Sequence, residues 1–186
     1  MKKLLLLFII PFSSIYLMAQ SDCSDLFFSE YVEGSNNSKA LEVYNPTNQI
    51  IDLSKYWIAR YSNGSSNYTS GGVTQLEGFL LPHDVFVFVN GQTEDNQYST
   101  KCDPELQLLA DMLDGDYPSP TYMNGNDAMA LLKSDDKVLA NAVPVDLIGE
   151  IGLGPAIVDE TGWSYVQDST LTYGFDTTAN TTQGEV

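Results

Sequence analysis

Residues 26–32 alternate as an extended chain does, with Phe27, Ser29 and Tyr31 on one face and Leu26, Phe28, Glu30 and Val32 on the other. Residues 40–44 form a second short strand, and "EGSNNSK" between the two is rich in residues that favour tight turns, which predicts a hairpin. Pro46 lacks a backbone donor and ends that strand. Further extended stretches are predicted at 50–53, 56–61, 79–81, 85–90, 128–133, 138–140 and within "VPVDLIGEIG", with one more near 170–173. The "VFVFV" run, β-branched or aromatic at every position, reads as a strand buried on both faces. One helix is predicted over about 103–114. Asp103 is its N-cap, Pro104 its first residue, Leu106, Leu109, Ala110 and Leu113 its apolar stripe, and Gly115 its stop. Many short strands, Gly- and Asn-rich turns and a single short helix give an all-β fold, an antiparallel two-sheet sandwich.

The first 20 residues change how the rest is read. Lys2 and Lys3, an apolar run from Leu4 and the small residue Ala19 have the layout of a secretory signal peptide cleaved near Ala19 or Gln20. Pro11, Ser13 and Ser14 interrupt the run, which argues against a permanent membrane span. The expectation is a secreted or cell-surface protein and not an integral membrane protein. Removing the signal leaves about 166 residues, one domain by length. The chain carries 8 Lys and Arg against 25 Asp and Glu, a net charge of −17, and Lys39, Lys55, Arg60, Lys101, Lys133 and Lys137 are scattered. Such a chain repels nucleic acid, so direct binding of DNA or RNA is excluded as an expectation. Two cysteines, Cys23 and Cys102, in an exported chain read as a disulfide.

Candidate chemistry is thin. The chain has one histidine, His83, in "LLPHDVF", with no nucleophile pattern beside it, and it reads as a turn residue. No catalytic set emerges, and no cofactor. Glu30 and Glu42 fall opposite each other if the first two strands pair. Like charges there require a cation, for which Lys39 and Arg60 are the candidates, giving a structural ion-pair group of Glu30, Glu42, Lys39 and Arg60. Glu33 is placed in the exposed loop. Asp111, Asp114 and Asp116 surround the predicted helix end and are the one candidate for Ca²⁺, although their spacing is not that of an EF-hand. Tyr61, Tyr68, Tyr98, Tyr117 and Tyr122 lie in or beside loops, where tyrosines at a sandwich end can form a binding surface.

"LFFSEYVEGSNNSKALEVYNPTNQIIDLSKYWIARYSNG", "LLPHDVFVFVN" and "NGNDAMALLK", in that order, closely resemble bacterial lamin tail domains over roughly residues 25–150. "CDPELQLLADMLDG" ahead of "YMNGNDAMAL" is similar to secreted members from Bacteroidota. The resemblance implies an immunoglobulin-like β-sandwich over 21–165 without catalysis of its own. It also implies an accessory module on a larger exported protein, with attached domains and an undefined protein or glycan partner at the cell surface. Two rival expectations stand beside it: the N-terminal part of an extracellular nuclease or other hydrolase, and a Ca²⁺-dependent adhesin. Members of the family usually close with a "TLIRK"-type strand. "GWSYVQDSTLTYGF" resembles only the approach to it, so residues 166–186 are expected to stop short of the last strands.

Overall fold

The structure is a computed structural model and describes residues 24–152. The expected strand at 170–173 and the segment 166–186 lie outside the described residues, as do the signal segment and Cys23. Among the described residues there are ten strands, β1 Phe27–Glu33, β2 Lys39–Tyr44, β3 Ile51–Asp52, β4 Tyr56–Tyr61, β5 Val73–Gln75, β6 Phe79–Leu80, β7 Val85–Val89, β8 Met112–Leu113, β9 Ala128–Lys133 and β10 Val143–Ile148, and one α-helix, α1 Pro104–Gln107. One sheet has the order β1-β2-β7-β8 and the other β10-β9-β4-β5, while β3 and β6 form a small separate pair. All pairings are antiparallel except β7 with β8. The all-β sandwich with one short helix is therefore the fold of the chain.

Alternation explains the core. Leu41 and Val43 of β2 and Phe86 and Phe88 of β7 face inward from one sheet. Tyr56 and Ile58 of β4 and Met129 and Leu131 of β9 meet them from the other. On the outer face of the first sheet, Ala40 and Val89 are covered by Cys102, with Leu106 and Ala110 alongside. The 91–110 segment is thus a flap over the sheet. The second sheet also buries its outer side, at Trp57, Ala59, Tyr61, Ala128, Ala130 and Leu132. At the seam between the sheets the Asp146 carboxylate accepts a hydrogen bond from the Phe28 amide at 2.7 Å. Both edge strands break register there, between Phe28 and Glu30 and between Pro144 and Asp146. Burial pushes the Asp146 carboxyl above its ordinary range, with the Phe28 amide pulling the other way.

Two expected elements differ. The helix over 103–114 is only four residues long. Its start is as predicted, since Asp103 caps the Glu105 amide at 2.8 Å and Pro104 opens it. The stripe fails, because Leu109 is 69% and Leu113 46% exposed. The open edge of β7 takes the chain instead. The Asp111 amide donates to Val87 O at 2.9 Å, Asp111 Oδ2 accepts from the Val87 amide at 2.8 Å, and the Asp114 amide donates to Val89 O at 2.8 Å. Edge pairing satisfies backbone groups that a marginal helix would leave exposed. Residues Leu139–Asn141 form a 3₁₀ turn rather than the expected strand, held by Asp136, which accepts from the Val138 amide at 3.0 Å and from Asn141 Nδ2 at 2.7 Å.

Two outcomes follow from this packing. Leu41→Ala, at a fully buried position, lowers the unfolding free energy by about 3 kcal/mol in urea titration, whereas Leu108→Ala changes it by less than about 0.5 kcal/mol; Leu108 is 85% exposed. The second concerns acid. Asp52 accepts from Ser54 at the start of a 3₁₀ turn and pairs with Lys137 at 2.8 Å, and these partners pull its carboxyl from 3.8 down to about 2. A depressed carboxyl stabilises the fold above its unfolded value and loses that contribution as pH falls through the folded one. The melting temperature falls between pH 4 and pH 2, and Asp52→Asn makes that fall shallower.

Candidate functional site

Among the described residues one hollow lies at each end of the sandwich. The first, of about 880 Å³, lies where β1 begins and is lined by the 46–52 turn, Asp25, Tyr56 and Lys133. Its charged groups are engaged with each other. Asp25 pairs with Lys133 at 2.7 Å and accepts from the Tyr56 hydroxyl at 2.5 Å, and Lys55 pairs with Asp135 at 3.1 Å. Burial, then Asp25, pushes the Tyr56 phenol far above its ordinary range. The second hollow, of about 650 Å³, lies at the opposite end, where β1 turns into β2. It is lined by Asn36, Asn37, Lys39, residues 96 and 98–100, Tyr117, Tyr122 and Asn124.

This second cleft rests on two buried ion pairs. Glu33 and Lys39 face each other in register at the ends of β1 and β2, 3.8 Å apart, and Lys39 Nζ also donates to Met123 O. Burial pulls the Lys39 ammonium below its ordinary value, and Glu33 opposes that shift. Arg60, near the end of β4, pairs with Asp127 at 3.2 Å; its exposure is 5% and that of Asp127 is 2%. The Arg60 guanidinium also donates to Tyr122 O at 3.1 Å and Pro118 O at 3.0 Å and lies 5.9 Å from the centre of the Tyr117 ring. Burial pushes the Asp127 carboxyl up, against the pull of Arg60 and the Asn63 amide.

The carboxylates of this region cap loop backbone. Glu33 accepts from the Gly125 amide at 3.1 Å, and Asp127 accepts from the Asn63 amide at 3.0 Å. Asp114 accepts from the Thr121 amide at 2.9 Å, the Thr121 hydroxyl at 2.8 Å and the Thr74 hydroxyl at 2.8 Å. Gly91 lets the Asp114 segment approach, since a Cβ there would sit 2.1 Å from Asp114 O. Gln92 knits the wall, accepting at Oε1 from Asn37 at 2.8 Å, Ser99 at 3.1 Å and Tyr122 at 3.1 Å.

Several expected site residues sit elsewhere or do other work. Glu30 and Glu42 do lie opposite each other. Lys39 and Arg60 do not reach them, being committed to Glu33 and Asp127. Glu42 instead accepts from the Ser29 hydroxyl at 2.6 Å on the exposed outer face. Glu33, expected in the loop, is a buried strand-end residue. Asp111, Asp114 and Asp116 do not converge on one point. Asp111 holds the Val87 amide, Asp114 is filled by hydroxyl and amide donors, and among the described residues no group of His, Cys, Asp or Glu is arranged to hold a metal ion. His83 is a turn residue with positive φ, its Nε2 2.9 Å from Asn48 Oδ1. Cys102 is fully buried, and burial pushes its thiol up; its expected partner, Cys23, lies outside the described residues. Of the five loop tyrosines, Tyr98, Tyr117 and Tyr122 line the cleft. Tyr61 is buried, and Tyr68 packs edge-on against it at 6.1 Å. Asp127 is the site residue that sequence reasoning passed over. Its signal was an acid inside the turn "NGNDA" ahead of an apolar strand.

Arg60→Met, which leaves Asp127 buried without its cation, lowers the unfolding free energy by about 3–5 kcal/mol. Lys55→Met, which breaks the exposed pair with Asp135, changes it by less than about 1 kcal/mol. Urea titration of both variants checks the contrast.

A search of curated proteins finds no match to the chain. The family model of the Lamin Tail Domain matches residues 19–146, a span that takes in β1 to β9, the start of β10 and the cleft. The chain belongs to the lamin tail domain family, whose members are immunoglobulin-like, non-catalytic modules.

Proposed function

We propose that the protein is an exported accessory module that attaches a larger protein, or itself, to a partner at the cell surface through the tyrosine-rimmed end of its sandwich. The observation that carries this reading is the state of the charged groups at that end. Lys39, Glu33, Arg60 and Asp127 are buried and consumed by one another and by backbone, so they build a scaffold and leave no acid, base or nucleophile poised for reaction. What the cleft offers outward is phenol rings, amides and hydroxyls, a recognition surface.

Export is supported by the basic, apolar and small-residue order of residues 1–20. In an oxidising compartment Cys102 pairs with Cys23, tying the mature N-terminus to the flap over the first sheet. Affinity with secreted Bacteroidota members is part of the same reading, on the motifs around "CDPELQLLADMLDG".

Expression of the full chain in a Gram-negative host, followed by fractionation and intact mass measurement, tests it. The expected product lies outside the cytoplasm, begins at Gln20 or Ser21, and in denaturant is alkylated at cysteine only after reduction. A cytoplasmic product that begins at Met1 would contradict the proposal.

A further inference from the structure

We propose that the cleft beneath Tyr98 and Tyr117 binds a neutral oligosaccharide. The inference rests on the interaction-module reading and adds the chemical class of its ligand. Tyr98 is 88% and Tyr117 71% exposed, and both line one cleft of about 650 Å³. A solvated phenol ring presents a flat apolar face with a polar tip. A pyranose ring has the complementary surface, an apolar face of C–H groups bounded by hydroxyls. The rest of the lining supplies neutral hydrogen-bonding groups, from Asn36, Asn124, Ser99 and Thr100.

Charge selects among ligands. Among the described residues the one cation in the lining is Lys39, which Glu33 neutralises and Met123 O engages. Arg60 behind it is matched by Asp127 and by the carbonyls of Pro118 and Tyr122. Among the described residues the lining contains no carboxylate. An acidic glycan or a nucleic acid therefore gains no ion pair here and meets a chain of net charge −17, and a basic ligand finds no counter-charge in the cleft. Geometry separates a sugar from a peptide strand. An extended peptide binds by adding to a sheet edge, whereas this cleft is walled almost entirely by turns and loops, with Lys39 its one strand residue. The wall is also set before a ligand arrives. Asn37 is tied to Gln92 at 2.8 Å and Thr100 O at 2.9 Å, and Tyr122 is tied to Gln92 at 3.1 Å, so little ordering remains to be done on binding.

Native electrophoresis of the full chain through gels containing xyloglucan, galactomannan, arabinoxylan, mixed-linkage β-glucan or dextran, with alginate and polygalacturonate as acidic comparisons, tests the proposal. The chain is expected to be retarded in at least one neutral gel. Affinity should fall at least about tenfold in the Tyr98→Ala/Tyr117→Ala double variant, equivalent to about 1.4 kcal/mol. Tyr98→Phe, which keeps the ring, retains most of it. Phe79→Ala, at an exposed position on β6 away from the cleft, leaves it unchanged. Unaltered thermal unfolding of Tyr98→Ala, expected from its exposure, separates lost binding from lost fold. No retardation in any neutral gel, equal retardation of the double variant, or retardation only in the acidic gels would each overturn the proposal. The module reading fails separately, on a cytoplasmic product that keeps Met1.

Discussion

Three carboxylates buried at one end of the sandwich, Glu33, Asp114 and Asp127, impose the constraint on which that end depends. A carboxylate taken out of water must be matched by cations or hydrogen-bond donors, or it destabilises the fold by several kcal/mol. Here the donors are the amides of Gly125, Thr121 and Asn63, which belong to loops rather than to the sheets. Lys39 and Arg60 supply compensating charge for Glu33 and Asp127, and both reach the 117–124 loop through backbone carbonyls as well. Each acid thus converts a segment that would otherwise be hydrated backbone into part of the protein interior.

The division of labour follows. Apolar residues at alternate positions fix the two sheets against each other, and Asp146 clasps the seam by holding the Phe28 amide. The hydrophobic contribution says nothing about how the loops at the ends are arranged, because it is proportional to area and has no direction. Hydrogen bonds to buried acids do have direction. They place Tyr117 and Tyr122 edge-on at 5.5 Å, and Gln92 joins Tyr122 to Asn37 across the cleft wall. The polar framework therefore accounts for the shape of the surface offered to a partner, and the exposed phenols account for its chemistry.

The strands were legible in the sequence where alternation or an unbroken apolar run marked them, in β1, β2, β4, β7 and β9, and the opposition of Glu30 and Glu42 followed from register alone. The parallel strand β8 was not legible. Its residues carry a helical stripe, and the competing partner, the open edge of β7, lies more than twenty positions earlier. β5 was hidden by its polar, glycine-rich surroundings and its length of three residues. Glu33 was misplaced because a strand end followed by Gly-Ser-Asn-Asn reads as solvent-exposed, while its burial is decided by Gly125, 92 positions away. Asp114 read as helix-end charge for the same reason, since its donors Thr74 and Thr121 come from other parts of the chain. Local pattern reports which residues face a core. It does not report which acid a distant loop will cover.

Amide hydrogen exchange at Asn63, Thr121 and Gly125 tests the central claim most directly, since each donates to one of the three acids. If the carboxylates make these loops part of the interior, the three amides exchange as slowly as those of β2 and β9, and far more slowly than exposed loop amides. Exchange at all three at the rate of an unprotected loop would mean that the acids do not hold that end of the sandwich, and the account of the cleft would fail with it.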